Sequence, residues 1–271
     1  VYVLRVLITV STVNVNGLRA ASGKGFTAWL EATTADVVCL QEVRATPDQL
    51  TDEVREPKGW HTYYAPSVVK GRAGVAVYSR VKPSGVRIGF GSAEFDTAGR
   101  WIEVDLPKVT VASLYLPTGE AETPKQAEKV RFMTDLVAHL KVMRATAAIG
   151  GREAVVCGDW NIAHTEHDIK NWKGNIGKSG FLPEERAWLS ELFGAADWHD
   201  VVRRIHPEGP GPYSWWSYRG KAFDTDAGWR IDYHAATPTL ADAARDAVVE
   251  RADSYAERWS DHAPVTVTYD I

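Results

Sequence analysis

Short apolar runs alternate along the chain with segments of helical periodicity, and several of the runs end in polar residues. The run Val3 to Val13 leads into Asn14-Val15-Asn16-Gly17, and Val37-Val38-Cys39-Leu40 leads into Gln41 and Glu42. Val155-Val156-Cys157 leads through Gly158 into Asp159-Trp160-Asn161. Further strand-like runs lie at Gly74 to Tyr78, Trp101 to Leu106, Val109 to Leu116, Tyr213 to Trp216, Arg230 to Ala235 and Pro264 to Tyr269. Between them, Phe26, Trp29 and Leu30 have helical spacing, as do Val130, Met133, Val137 and Leu140. Pro183 opens a further helix, held to a core by Trp188, Leu189 and Leu192. Strands and covering helices occur in both halves, which suits two sheets packed face to face with helices outside.

A chain of 271 residues with 45% hydrophobic content can bury a substantial core. No Pro/Gly/Ser-rich linker or low-complexity stretch divides it, which predicts one domain over residues 1–271. The formal charge of −4 lacks the basic excess of a passive nucleic-acid coat, so any anionic substrate must be met by local Lys and Arg. The two cysteines, Cys39 and Cys157, sit inside apolar runs without metal-finger spacing, and read as buried hydrophobes in a reducing compartment. The apolar stretch Val1 to Val10 is interrupted by Arg5 and too short to span a bilayer. It lacks a charged leader with a cleavage site, which predicts a cytosolic location and no membrane partner.

Asn14, Asn16, Glu42, Tyr115, Asp159, Asn161, Asp232, Asp261 and His262 all stand at or beside the ends of apolar runs, where a rigid scaffold can hold reactive groups. Asp159 and Asn161, two residues apart at a strand end, project the same way. Carboxylates bind a hard cation such as Mg2+, amides donate to phosphate oxygens, and a carboxylate beside His supplies polarised proton chemistry. No His/Cys cluster has zinc spacing. The set points to metal-assisted phosphoester hydrolysis.

The chain resembles the exonuclease III family of abasic-site endonucleases, within the endonuclease/exonuclease/phosphatase superfamily. The segments that carry the resemblance are Asn14-Val15-Asn16-Gly17-Leu18-Arg19, Leu40-Gln41-Glu42-Val43-Arg44, Leu114-Tyr115-Leu116-Pro117, Gly158-Asp159-Trp160-Asn161-Ile162-Ala163, Asp168-Ile169-Lys170-Asn171, Trp229-Arg230-Ile231-Asp232-Tyr233 and Ser260-Asp261-His262-Ala263-Pro264. They follow the family's order over nearly the whole length.

The resemblance implies a four-layered α/β/β/α sandwich of two packed mixed sheets. It implies Glu42 as the principal Mg2+ ligand, with Mn2+ as a substitute ion, Asp261 assisting directly or through water, and Asn16 where some relatives carry Asp. It implies Asp159 as the group that activates water or protonates the leaving oxygen, Asn14 and Asn161 as phosphate and transition-state contacts, and Tyr115 as a phosphate-contacting phenol that helps the leaving group. His262 would bond a phosphate oxygen while Asp232 orients its ring. The implied partner is double-stranded DNA with abasic sites or 3′ ends, cut by a monomer 5′ to the lesion to leave a 3′ hydroxyl. Exonuclease action from 3′ ends and 3′ phosphatase action would share the site.

The stretch Trp215 to Phe223, continuing to Trp229, mixes rings that can stack on bases with Arg219 and Lys221, which can meet phosphate. Lys70, Arg72, Lys170, Lys173 and Lys178 are candidate backbone contacts, although any one of them alone reads as solvated surface charge. Likewise Asn14 and Asn16 alone would be turn formers before Gly17, Glu42 a solvated charge, Tyr115 a half-buried ring, and Asp232 an ion-pair partner of Arg230. Trp215 and Trp216 divide evenly between core edge and substrate contact, because neighbours in a strand face opposite ways. Those separate readings leave the joint order of the segments unexplained. Two other functions compete: a phosphodiesterase acting on another phosphoester, and a lesion-binding protein without catalysis.

Overall fold

The computed structural model describes residues 7–271. The part of the expected first strand that precedes Leu7, with the apolar leader, lies outside these residues. Among the described residues, two six-stranded sheets form. The first holds β1 (Leu7–Asn14), β2 (Val37–Gln41), β3 (His61–Ala65), β4 (Val75–Ser79), β11 (Ala244–Val249) and β12 (Val265–Asp270). The second holds β5 (Gly85–Ile88), β6 (Trp101–Asp105), β7 (Val109–Tyr115), β8 (Glu153–Asp159), β9 (His199–Asp200) and β10 (Asp232–Ala236). Their orders are β11-β12-β1-β2-β4-β3 and β5-β6-β7-β8-β10-β9.

Both sheets are mixed, and the one parallel pair in each sits at its centre: β1 beside β2, and β7 beside β8. Parallel pairing brings the carboxyl ends of two strands side by side. Asn14 thereby lies opposite Gln41, and Tyr115 opposite Asp159. Antiparallel β10 then starts where β8 ends, placing Asp232 against Asp159.

The sheets pack face to face over Val10, Val37, Cys39, Val75, Ile102, Val111, Val155 and Cys157. Alternation along β2 sends Val37 and Cys39 to this inner layer, and Val38 and Leu40 outward against the helices Leu18–Ser22 and Phe26–Ala32. Both faces are buried, so the strand reads as a continuous apolar run, and each buried Val or Leu stabilises by about 1.5–3 kcal/mol. The helices Pro124–Ile149 and Pro183–Leu192 cover the second sheet. The result is the four-layered α/β/β/α sandwich.

Pro183 opens its helix as expected, with Leu189 and Leu192 buried and Trp188 packed at the core's margin. Two expectations need correction. Val130 is exposed, and the long helix buries Phe132, Met133, Leu136 and Leu140 together with the charged Lys129. Tyr213 to Trp216 forms no strand: Trp215 makes isolated bridges to Trp229 and His262, so the segment is a connector between elements rather than a member of a sheet. Both cysteines are free and fully buried, as their apolar surroundings require.

His234 on β10 is fully buried, with its ring nitrogens near Tyr269 Oη at 3.1 Å and the Val265 carbonyl at 3.0 Å. Burial drives its pKa down to about 4, against the opposing pull of the Val265 carbonyl and Asp200. The unfolded chain therefore takes up the proton first. Stability contributed by this residue is whole above the unfolded pKa of about 6.5 and is lost as pH falls toward 4, a change of about 3 kcal/mol. Denaturant melts of the parent and of His234→Gln across that interval should show a steeper decline in the parent. Equal slopes would remove His234 as the cause.

Candidate active site

Four non-glycine residues with positive φ cluster where the sheets' central strands end: Asn16 (48°), Glu42 (51°), Arg44 (52°) and Asn161 (51°). Such backbone is uncommon outside glycine and persists where the surroundings over-determine it. Here it turns each chain sharply after the strand, and Glu42 thereby reaches across the seam to Tyr115 of the other sheet. Gly158, at φ 149°, serves the same end, because a Cβ there would collide with the Leu114 carbonyl on β7. Only glycine lets β8 lie close enough to β7 to deliver Asp159.

Asn14, fully buried, joins the two sheets. Its amide nitrogen donates to Glu42 Oε1 and to Asp159 Oδ2, each at 2.9 Å, while its oxygen accepts the Asn16 backbone N–H at 2.9 Å. Tyr115 Oη also donates to Glu42 Oε1, at 2.8 Å. Glu42 Oε2 meets the Arg44 guanidinium. Asp159 accepts from the Asn161 backbone N–H at 2.9 Å, and the Asn161 side chain donates to the Leu116 carbonyl at 2.9 Å. His262 Nδ1 lies 2.8 Å from Asp232 Oδ2, and its Nε2 lies 3.8 Å from Asp159 Oδ2. Ser214 Oγ donates to the same Asp232 oxygen at 2.6 Å.

Burial pushes the Asp159 carboxyl up to about 7, with Asp232 and Glu42 adding to the shift and His262 and Asn14 opposing it. Burial alone would neutralise His262, but the adjoining Asp232 carboxylate outweighs it, and Asp159 and Asp261 add, so the imidazole pKa rises to about 10. Tyr115 is held well above the ordinary phenol range by burial and then by Glu42 and Asp159, so it stands as a neutral O–H donor.

These groups open onto a cavity of about 330 Å³, whose walls include Asn16, Glu42, Asp159, Asn161, Trp215, Trp229, Asp261 and His262. Trp215 and Trp229 meet edge to face, while Trp216 is buried against Phe223, so the two neighbours have different surroundings although they do not lie in a strand. Arg44 lines this cavity and also a neighbouring groove that carries Lys70 and Arg72. Lys170 is exposed on the segment that pairs with Trp229. Arg219 and Lys221 are exposed on the loop beyond Trp216 and do not line the cavity. Asp232 takes His262 as its partner, whereas Arg230 turns away to Asp168 and Asp200. Reading Asp232 with Arg230 as an ion pair is thereby excluded.

Sequence reasoning did not single out Ser214, Ser260 or Lys129. Ser260 Oγ donates to the Asn14 carbonyl at 2.6 Å, and Lys129 Nζ donates to the Asn161 carbonyl at 2.9 Å. Ser260 stood within a matched segment; Ser214 and Lys129 carried no local signal.

The donor set suits a hard divalent ion. Glu42 offers a carboxylate at the cavity wall, with amide oxygens nearby and no thiolate. Asp261 already accepts from Asn16 Nδ2 at 2.8 Å and Trp215 Nε1 at 3.0 Å, which favours its acting through water. No cluster of three or more His, Cys, Asp or Glu with metal-binding spacing occurs among the described residues. A Mg2+ ion does not require one, since it is commonly held by one or two carboxylates, waters and substrate phosphate.

Residues 11–262 match the Endonuclease/Exonuclease/phosphatase family, which is divalent-metal dependent. The chain is 34% identical to an exodeoxyribonuclease of Bacillus subtilis over 95% of this chain and 98% of that protein. It is 32% identical to exodeoxyribonuclease III of Haemophilus influenzae, covering 93% and 96%. Its structure is similar to a 3′ phosphatase from Neisseria bound to a product DNA hairpin (TM-score 0.88, 30% identity, 97% and 100% covered). An AP endonuclease from Archaeoglobus fulgidus is comparably similar (TM-score 0.87, 27% identity, 97% and 100% covered). Sequence, fold and the order of the strand-end residues agree: the chain belongs to the endonuclease/exonuclease/phosphatase family, on its exonuclease III branch of abasic-site endonucleases.

Proposed function

We propose that this chain is a DNA-repair phosphodiesterase that hydrolyses the backbone 5′ to abasic sites, leaving a 3′ hydroxyl, and that the same site trims 3′ ends and removes 3′ phosphates. The observation that carries the proposal is the convergence of Glu42, Asp159 and His262 on one cavity, with Asn14 bridging Glu42 of one sheet to Asp159 of the other behind it. The walls supplied by Trp215 and Trp229 suit an extrahelical sugar. The groove with Lys70 and Arg72, joined to the cavity through Arg44, suits the flanking phosphates.

In the proposed reaction Asp159 takes a proton from water as the water attacks phosphorus, and the bond from phosphorus to the upstream 3′ oxygen breaks. Asn161 fixes Asp159 through its backbone N–H, and Asn14 holds Asp159 and Glu42 in one frame. His262, oriented by Asp232, donates to a phosphate oxygen from Nε2. Tyr115 presents a neutral hydroxyl to the same region. Mg2+ held at Glu42 would offset negative charge on the phosphate.

A panel of abasic duplex, recessed duplex, 3′-phosphorylated duplex and inositol phosphates tests the reading. Cleavage of the abasic and 3′-end substrates should vanish with chelator and return with Mg2+. Turnover that survives chelation would remove Glu42 as a metal ligand. Preference for inositol phosphates would move the chain to another phosphoester, and DNA binding without turnover in Mg2+ would make it a sensor.

A further inference from the structure

Behind the cavity wall lies a buried ion pair that the reaction does not use. Lys129, on the helix Pro124–Ile149, and Glu185, on the helix Pro183–Leu192, both have side chains with 0% exposure, and Lys129 Nζ lies 2.7 Å from Glu185 Oε1. A buried pair of this kind gives little net stability by itself, because desolvation offsets most of the attraction. Its hydrogen bonds show where it acts. Lys129 Nζ donates to the carbonyls of Thr118 at 3.2 Å and Asn161 at 2.9 Å. Glu185 Oε2 accepts the backbone N–H of Gly180 at 2.7 Å, and Glu185 Oε1 accepts from Ser179 Oγ at 3.2 Å. The single Ser179 hydroxyl hydrogen is shared between that oxygen and the Thr118 carbonyl, which lies nearer at 2.8 Å.

Thr118, Asn161, Ser179 and Gly180 all line the catalytic cavity, and they come from three separate segments of chain. None of the three is tied there by a sheet. Asn161 carries a strained φ of 51° while its N–H holds Asp159, so its carbonyl needs an external anchor. The anchor is Lys129.

We infer that Lys129 and Glu185 are positioning residues that lock the Thr118, Asn161 and Ser179–Gly180 walls in register with Asp159, fixing the cavity's shape for the reacting phosphate. This rests on the phosphodiesterase reading above. A displacement of about 1 Å at such a wall can cost about 100-fold in rate, whereas a purely structural pair would affect stability alone.

The test compares Lys129→Met with Met143→Ala, a core truncation on the same helix that lies away from the cavity. Ser179→Ala supplies a milder cut in the same network that leaves the buried pair intact. Steady-state kinetics on abasic and recessed duplex are paired with hydrogen exchange at the Gly180 amide. Lys129→Met should lose about 10- to 100-fold in kcat, and Ser179→Ala should lose less, both with faster exchange at Gly180. Met143→Ala should keep kcat at comparable or greater loss of thermal stability. Parent-like kcat in folded Lys129→Met, or in Ser179→Ala should Lys129→Met not fold, would overturn the inference. An equal loss of kcat in Met143→Ala would overturn it too. A parent chain inactive on every DNA substrate would instead sink the functional reading, while exchange at Gly180 would still report the anchoring.

Discussion

Asp159→Asn is expected to lower kcat on abasic duplex by about 10² to 10⁴, the range typical of a lost general base. The carboxylate accepts from the side-chain amide of Asn14 and the backbone amide of Asn161, and faces His262 at 3.8 Å. An amide of the same shape keeps one acceptor for the Asn161 N–H. It turns an NH2 toward the Asn14 amide, however, and so sets two donors face to face. That conflict costs about 1–3 kcal/mol between two buried side chains. The variant should therefore fold, melt somewhat earlier and bind DNA, yet turn it over slowly. Circular dichroism and single-turnover kinetics separate these effects. A folded variant within tenfold of the parent would show that another group activates the water.

Removing the guanidinium of Arg230 is expected to produce the largest loss of stability. Arg230 is 1% exposed, with Nε 2.7 Å from Asp168 Oδ1 and Nη2 2.8 Å from Asp200 Oδ2. Burial would raise the Asp168 pKa, but Arg230 and Arg203 outweigh it and hold that carboxyl well below the ordinary range. In Arg230→Met, Asp200 is left buried without this partner, and Asp168 keeps Arg203 at 2.6 Å and the N–H and hydroxyl of Thr165. Breaking a buried pair from one side costs about 3–5 kcal/mol. The sign with pH follows from the depressed carboxyl. The contribution of Asp168 is present above an unfolded pKa of about 3.9 and is lost as pH falls below it. The variant's deficit should thus be full at pH 7 and shrink in acid. A deficit under about 1 kcal/mol by urea melts at pH 7 would show the cluster relaxes around the gap.

How much was legible beforehand follows from what each position touches. The central strands β1, β2, β7 and β8 are buried on both faces and so wrote themselves as apolar runs, and their polar ends were visible for the same reason. β3, β5 and β11 lie at sheet margins with half-exposed patterns, and nothing in their composition set them apart from loops. Which of Trp215 and Trp216 faces the cavity was not readable, because the segment is not a strand and its turns rather than a two-residue period set the two directions. Lys129 and Glu185 were not readable: each is a charged residue on the buried face of its helix, and only the folded chain brings them together. The partners of Arg230 were hidden for a related reason, since Asp232 is near in sequence while Asp168 and Asp200 are near only in space.

The placement of β12 has a consequence for synthesis. It enters the first sheet between β11 and β1, pairing antiparallel with both, so a late-translated segment fills a place beside the earliest described strand. Asp261 and His262 arrive immediately ahead of it. A nascent chain therefore carries Glu42 and Asp159 before its first sheet can close, and hydrolytic competence waits on the arrival of β12. Nonsense products that stop short of this strand should accumulate as inert fragments rather than as unregulated nucleases.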